Sequence, residues 1–303
     1  MQLEPREAAL VELGSLLIDE GYRFITVTPA SHARIYTRHD RARSVRDVFG
    51  WSRVFEPSVL PPRMLRALVD ADGVVQHGDL LRSAVRFSSV GSQLFVHSAF
   101  PTTDEASVFF GPDSYRFCSL VSRVVEHAAR VVDVCCGSGV GAITLSDRCE
   151  RITLADINPR ALSFARVNAH LANITDRVEI ACGDLLAPVR GDVDLVIANP
   201  PYLADRARRV YRDGGGELGI ELGVRIVRDS LARLAPGGRL ILYTGAPIVD
   251  GDDMLLARSR PLFDAASRWT YDEIDPDVFG EELDEPGYGT VERIAVVAAV
   301  VTR

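Results

Sequence analysis

The chain has 303 residues and a formal net charge of −8, from 34 basic and 42 acidic side chains, with 47% of its residues hydrophobic. That composition excludes a disordered, collagen-like or coiled-coil chain, and the length leaves room for two domains or for one domain with an appendage. Every basic residue is Arg and no Lys occurs, which removes Schiff-base chemistry, pyridoxal enzymes and a P-loop lysine together.

The opening residues, Met1 to Glu7, mix acids and a base with no apolar core behind them, so no secretory leader is expected and the cytoplasm is the default location. Residues 6–18 then read as a helix, because Ala8, Leu10, Val11, Leu13, Leu16 and Leu17 recur on one face. An Arg-rich stretch follows at 34–46, and Pro61-Pro62 opens a second helix over 64–69. The runs 84–87 and 94–97 read as a hairpin around residues 88–92. Helices followed by a hairpin suggest a smaller mixed α+β module over residues 1–105, winged-helix-like in its order and expected to act as a lid or in substrate recognition.

From residue 106 to 303 apolar strands alternate with helices, the texture of a doubly wound, Rossmann-like α/β sheet. Strands are expected near 130–135, 151–156, 177–182, 193–198, 238–243, 268–274 and 291–301. Helices fall near 114–128, 139–147, 158–172, 219–235 and 252–264. Seven strands with the last two close in sequence predict that the final one runs antiparallel. The five Cys, at 118, 135, 136, 149 and 182, are odd in number and lack a Cys-x-x-Cys pair, which suits buried free thiols; no metal site is expected. The longest apolar run, 294–301, falls far short of the roughly 18 residues a membrane span needs.

Four segments carry candidate chemistry. The first, Val131-Val132-Asp133-Val134-Cys135-Cys136-Gly137-Ser138-Gly139-Val140-Gly141, is a buried strand running into a glycine-rich turn and a helix. Glycine is suited there because a bare backbone tolerates positive φ and close approach of a ligand. The spacing differs from the Gly-x-Gly-x-x-Gly of dinucleotide sites, and a tight turn without ligand is the alternative. The second strand ends at Asp156, 19 positions after Gly137 and near the spacing of a ribose-binding acid; helix capping is the competing role. The third ends in Cys182-Gly183-Asp184-Leu185, where Asp184 either accepts the amine of an adenine or makes a turn. The fourth, ending in Asn199-Pro200-Pro201-Tyr202, delivers Asn199 to the same rim. Pro200 forces Asn199 out of the α region, and the second proline stiffens the turn after it. The Asn199 side-chain oxygen with the Ala198 or Pro200 carbonyl can accept both N–H bonds of an NH₂ group, and Tyr202 is expected to pack on a planar substrate. Such a bracket orients a nitrogen whose lone pair is delocalised.

Asp133 with Gly137-Ser138-Gly139, then Asp156, Asp184 and Asn199-Pro200-Pro201-Tyr202, in this order and spacing, resemble a class I S-adenosylmethionine-dependent methyltransferase. The resemblance is greatest to the release-factor glutamine N-methyltransferase type, and it extends to Gly214-Gly215-Gly216-Glu217-Leu218-Gly219 and Pro236-Gly237-Gly238. It implies a seven-stranded methyltransferase sheet and S-adenosyl-L-methionine as cofactor. By it, Asn199, Pro200 and Tyr202 hold the methyl acceptor. Asp133, Gly137, Ser138, Gly139, Asp156, Ile157, Asp184 and Leu185 line the cofactor, with Asn199 at its methyl end. The segment Phe110-Gly111-Pro112-Asp113-Ser114-Tyr115-Arg116-Phe117 stands where that family carries a Pro-Arg-Pro-containing run, and it is expected to cover the cofactor, with Tyr115 or Arg116 at its methionine end.

The same bracket serves adenine N6 methylation of RNA or DNA, so charge has to arbitrate. Affinity for nucleic acid comes largely from neutralising phosphate, and a net −8 disfavours it. Two basic stretches, Arg34, Arg38, Arg41, Arg43 and Arg46, and Arg206, Arg208, Arg209 and Arg212, also read as solvated faces paired with acids such as Asp40, Asp47 and Asp205. Residues 272–285 carry eight acids and no base, and they are expected to overhang the substrate side. The expected acceptor is therefore an amine or amide of a protein or small molecule. An oxygen or carbon methyltransferase of secondary metabolism is the rival and would want a His base; sequence places none of His32, His39, His97 and His170. A cofactor-binding module without activity and a nicotinamide-dependent dehydrogenase stand further off.

Overall fold

The computed structural model describes residues 1–205, 207–285 and 287–303. The N-terminal third begins with α1 (Pro5–Asp19), α2 (Pro29–Tyr36), α3 (Val45–Phe49) and α4 (Pro62–Asp70). Pro at the first turn of α1, α2 and α4 starts each with a preset φ, and Glu4 and Glu7 cap α1 reciprocally. Two hairpins follow, β1 (Val74–His77) with β2 (Leu80–Ser83) and β3 (Val85–Val90) with β4 (Gln93–Ser98). Sequence predicts only the second. The first has a tight turn at Gly78, where φ is +61°, between strands too short and too exposed to show alternation.

The remainder alternates as expected: α5 (Pro112–Val124), β5 (Ala128–Val134), α6 (Val140–Thr144), β6 (Cys149–Asp156), α7 (Pro159–Leu171), β7 (Val178–Cys182), β8 (Val193–Ala198), α8 (Glu221–Arg233), β9 (Leu234–Val249), β10 (Asp252–Asp253), α9 (Met254–Asp264), β11 (Arg268–Asp275) and β12 (Arg293–Thr302). The main sheet has the order β11-β12-β9-β8-β5-β6-β7, with β10 beside β9. β12 alone of the seven runs antiparallel, wedged between β9 and β11. β9 outruns its predicted 238–243 at both ends: β12 pairs with it as far as Ile248, and Leu234 pairs with Val193 of β8.

Alternation along each strand splits the core in two. Val131, Leu195 and Ile241 face α5, α6 and α7, where Phe117, Val121, Ile143 and Leu162 close over them. Val132, Val196, Leu240 and Leu242 face α8 and α9, against Ile226, Val227 and Phe263. A third cluster crosses residue 105: Leu10, Leu13, Leu17, Phe49 and Phe87 pack with Ala161, Phe164 and Val167 of α7. The change of texture there is not a break in packing. No helix among the described residues is long and apolar enough to cross a membrane.

Candidate active site

Sheet register brings the candidate residues to one edge. Val134 lies opposite Ala155 of β6 and Ala198 of β8, and Asp156 lies opposite Cys182 of β7. Cys135, Asp156, Cys182 and Asn199 thus stand level along a common rim, with Gly183 and Asp184 just beyond it. β5 is flanked by β6 and β8, whose helical connections pass over opposite faces, so a crevice opens at this switch point. A cavity of about 400 Å³ occupies it.

The glycine turn forms one wall. Gly137 and Gly139 have φ of +54° and +77°, values open to glycine at little cost, and Cys135 adopts +57° as a non-glycine. A Cβ on Gly141 would lie 2.4 Å from the Phe117 ring and 2.9 Å from Asp133 Oδ2, so that glycine lets α6 close on the strand. Gly137 N donates to Asp156 Oδ2 at 2.9 Å and Asn158 N donates to Asp156 Oδ1 at 2.8 Å. Each carboxylate oxygen keeps a lone pair for a diol, and burial raises the Asp156 pKa above the usual carboxylate range. Beside it Ile157 is 58% exposed, an apolar side chain left open at the cavity wall, and the buried Leu185, on the loop after β7, also lines the cavity. Asp184 also lines the cavity, with its Oδ2 bound by Arg225 of α8 at 2.6 Å. Ser138 faces the cavity while its carbonyl accepts from Asn168 Nδ2 at 2.8 Å. Asp133 lines the floor at 1% exposure, accepts from Ala142 N at 3.0 Å, and burial pushes its pKa up to about 8. A glycine cradle, a diol-facing acid and an apolar slot fit an adenosine-bearing cofactor.

The other wall is the turn after β8. Asn199 and Pro200 line the cavity, and among the described residues the Asn199 side-chain amide makes no hydrogen bond. Tyr202 does not lie free for a planar substrate: it is 8% exposed and its hydroxyl donates to Asp113 Oδ2 at 2.5 Å. Burial and that carboxylate raise its pKa. Tyr115 departs from expectation altogether. It does not line the cavity; its hydroxyl accepts from Thr26 N at 2.9 Å and its ring meets Phe110 edge-on, so α5 turns it toward the N-terminal hairpin. Arg116 pairs with Asp113 and Asp275 at 3.1 and 2.8 Å.

Several cavity residues escaped the sequence reading: Val108, Phe109, Tyr211, Arg225 and Phe279. Arg225 lies on α8, while the segments of the other four are irregular, and only Pro112 behind Gly111 marks the nearby helix start. The acidic stretch also changes character, since Asp275 pairs with Arg116, Glu282 with Arg212 and Glu273 with Arg293. Three of its acids are therefore compensated by Arg, and the stretch is less negative than its sequence suggests. Arg209 and Arg212 of the second basic stretch are held by Asp205, whereas Arg206 lies outside the described residues. Among the described residues no histidine lines the cavity: His97 bonds Ser88, His32 bonds Trp51 and His170 bonds Met1.

Residues 118–248 match the family model of the methyltransferase small domain. The release factor glutamine methyltransferase of Koribacter versatilis is 32% identical over 181 residues, 53% of this chain and 60% of that protein. The one from Deinococcus radiodurans is 35% identical over 170 residues, 50% and 55% of the two chains. A ribosomal protein uL3 glutamine methyltransferase of Bradyrhizobium diazoefficiens is 36% identical over 139 residues, 40% and 43%. The chain thus spans less than two thirds of the length of these relatives. Among solved structures, the tRNA m1G37 methyltransferase of M. jannaschii superposes with a TM-score of 0.50 over 72% of this chain and 54% of that one, at 17% identity, a likeness of fold. The matched segment, residues 118–248, carries β5 to β8 and the glycine turn described above, and its likeness is to class I S-adenosylmethionine-dependent methyltransferases.

Proposed function

We propose that this protein methylates a side-chain nitrogen of a protein in the cytoplasm, with the carboxamide of a glutamine as the acceptor. The carrying observation is the Asn199-Pro200-Pro201-Tyr202 turn, which puts a side-chain amide without a hydrogen bond among the described residues on the wall of the cavity that also holds the glycine turn and Asp156. The names of the relatives, glutamine methyltransferases of release factors and of a ribosomal protein, support that acceptor.

When bound, S-adenosylmethionine supplies a methyl group made electrophilic by its sulfonium. The chain's own work is positioning. Asp156 accepts from the ribose hydroxyls, Ile157 and Leu185 flank the adenine, and Asn199 with the neighbouring carbonyls accepts both N–H bonds of the acceptor. Held so, the nitrogen would direct its lone pair at the sulfonium-activated methyl; the methyl–sulfur bond would break with its electron pair left on sulfur as the N–C bond forms, and one N–H proton would pass to water. Orientation of this kind supplies on the order of 7–11 kcal/mol in favourable systems. Residues 1–105 take the role of substrate recognition in this reading.

The test is incubation with methyl-labelled S-adenosylmethionine and cell extract, followed by protease digestion and mapping of the label. Label on a glutamine of a protein is expected; label confined to small molecules overturns the protein acceptor. Asn199→Ala is expected to lower turnover by about 100-fold or more with cofactor affinity nearly unchanged. Parallel loss of cofactor binding shows Asn199 to be structural instead.

A further inference from the structure

Tyr202 is held more firmly than a residue that packs on substrate needs to be. Its hydroxyl donates to Asp113 Oδ2 at 2.5 Å, and the Tyr243 hydroxyl donates to Asp113 Oδ1 at 2.9 Å. Arg116 adds a bond to Oδ1 at 3.1 Å and reaches Asp275 Oδ2 at 2.8 Å. Asp113 is 5% exposed, so these bonds form in a place where leaving any of them unmade is costly. The partners come from the first turn of α5, the turn after β8, the rim of β9 and the end of β11. Phe279, four residues beyond Asp275, meets the Tyr202 ring edge-on with centroids 6.0 Å apart. On another side the ring lies against Gly245, where a Cβ would come within 2.1 Å of Cδ2.

Between Tyr202 and Asn199 stand only Pro200 and Pro201, whose φ angles are locked. A displacement of the tyrosine is therefore passed on to the asparagine. We infer that Asp113 is a positioning residue of the acceptor turn: through Tyr202 it fixes the Asn199 amide, and through Arg116 and Asp275 it ties that turn to the wall carrying Phe279. The inference rests on the reading that Asn199 holds the methyl acceptor.

Two readouts on the full-length chain test it. In the first, Asp113→Ala and Tyr202→Phe each lower kcat on the order of 10- to 100-fold, with acceptor KM and cofactor Kd within about threefold of wild type. The double variant is expected to be no worse than Asp113→Ala alone within about twofold, because both changes cut one link, and Asp113→Asn, which keeps an acceptor oxygen, recovers part of the rate. Independent, multiplying losses, or loss of thermal stability with kcat unchanged, overturn the inference. The second readout needs no turnover: the side-chain amide resonance of Asn199 in a ¹⁵N–¹H spectrum of the cofactor-free chain. It shifts in Tyr202→Phe, which removes one hydroxyl and leaves the fold packed, and stays in place in Tyr271→Phe, whose hydroxyl bonds Asp253 instead. An Asn199 signal unmoved by Tyr202→Phe overturns the positioning role. A wild-type chain that methylates no carboxamide overturns the proposed function and leaves this readout to decide the link by itself.

Discussion

Asp133 shows how a single side chain ties the cofactor turn to pH. It is 1% exposed with one backbone N–H, that of Ala142, as hydrogen-bond donor, and burial raises its pKa from 3.8 to about 8. In the unfolded chain the same acid ionises near 3.9. Between about pH 4 and pH 8 the folded protein retains a proton that the unfolded chain has lost. This group's contribution is fully favourable below pH 4 and falls as pH rises, by up to about 1.4 kcal/mol per unit. Asp133→Asn keeps the acceptor oxygen for Ala142 N and removes the titration. Thermal melts of the cofactor-free protein from pH 4 to 9 are expected to show the variant gaining on wild type steadily up to about pH 8. A gap independent of pH would show Asp133 already ionised in the folded chain. The neighbouring Cys135, at φ +57°, illustrates what residue type conceals, since nothing in a cysteine announces a left-handed backbone.

At the scale of elements, α7 does more than cover the sheet. Leu162, Ala165 and Ala169 belong to the core on the side of β6 and β7, while Ala161, Phe164 and Val167 face the N-terminal core. An apolar stripe spread over more than one face is legible in residues 159–171 as a helix buried on two sides, although the identity of the second neighbour is not. Asn168 fastens the three layers: Oδ1 accepts from Val96 N at 2.8 Å, and Nδ2 donates to Val96 O at 3.1 Å and Ser138 O at 2.8 Å. It joins β4, α7 and the glycine turn with bonds that are all buried. Asn168→Ala is expected to destabilise the protein by about 3 kcal/mol by denaturant titration, since it strands backbone groups on β4. Because Ser138 O is released as well, cofactor affinity is expected to fall with it by calorimetry. Unchanged affinity would show that the glycine turn holds its shape without Asn168.

For the whole molecule, continuity of the core across residue 105 decides how the parts depend on each other. Glu7, with its side chain 4% exposed, pairs with Arg166 of α7 at 3.0 Å, and Phe164 and Val167 lie in the same cluster as Leu13 and Phe87. A chain cut to residues 106–303 exposes that face of α7 and leaves Arg166 without its partner. It is expected to aggregate or to melt without cooperativity, as read by circular dichroism and size exclusion. A cut chain that melts sharply and stays monomeric would show that residues 1–105 are dispensable to the methyltransferase sheet.

The alternating sheet, the antiparallel final strand and the rim positions of Gly137, Asp156, Asp184 and Asn199 were determined by local signals. Hydrophobic period, glycine and proline punctuation, and the rule that parallel strands end on one side are all written in neighbouring residues. Tertiary structure decided what depends on contacts between distant segments. Tyr115, adjacent to the site in sequence, turns to Thr26, while Asp113, two residues earlier, meets Tyr202 and Tyr243 across 89 and 130 positions. One helical face separates those two fates, and the packing of α5 between hairpin and sheet sets which face meets the cavity. The acids of 272–285 look uncompensated along the chain, yet among the described residues three of the eight are ion-paired, because their Arg partners arrive from α5, from the loop after β8 and from β12.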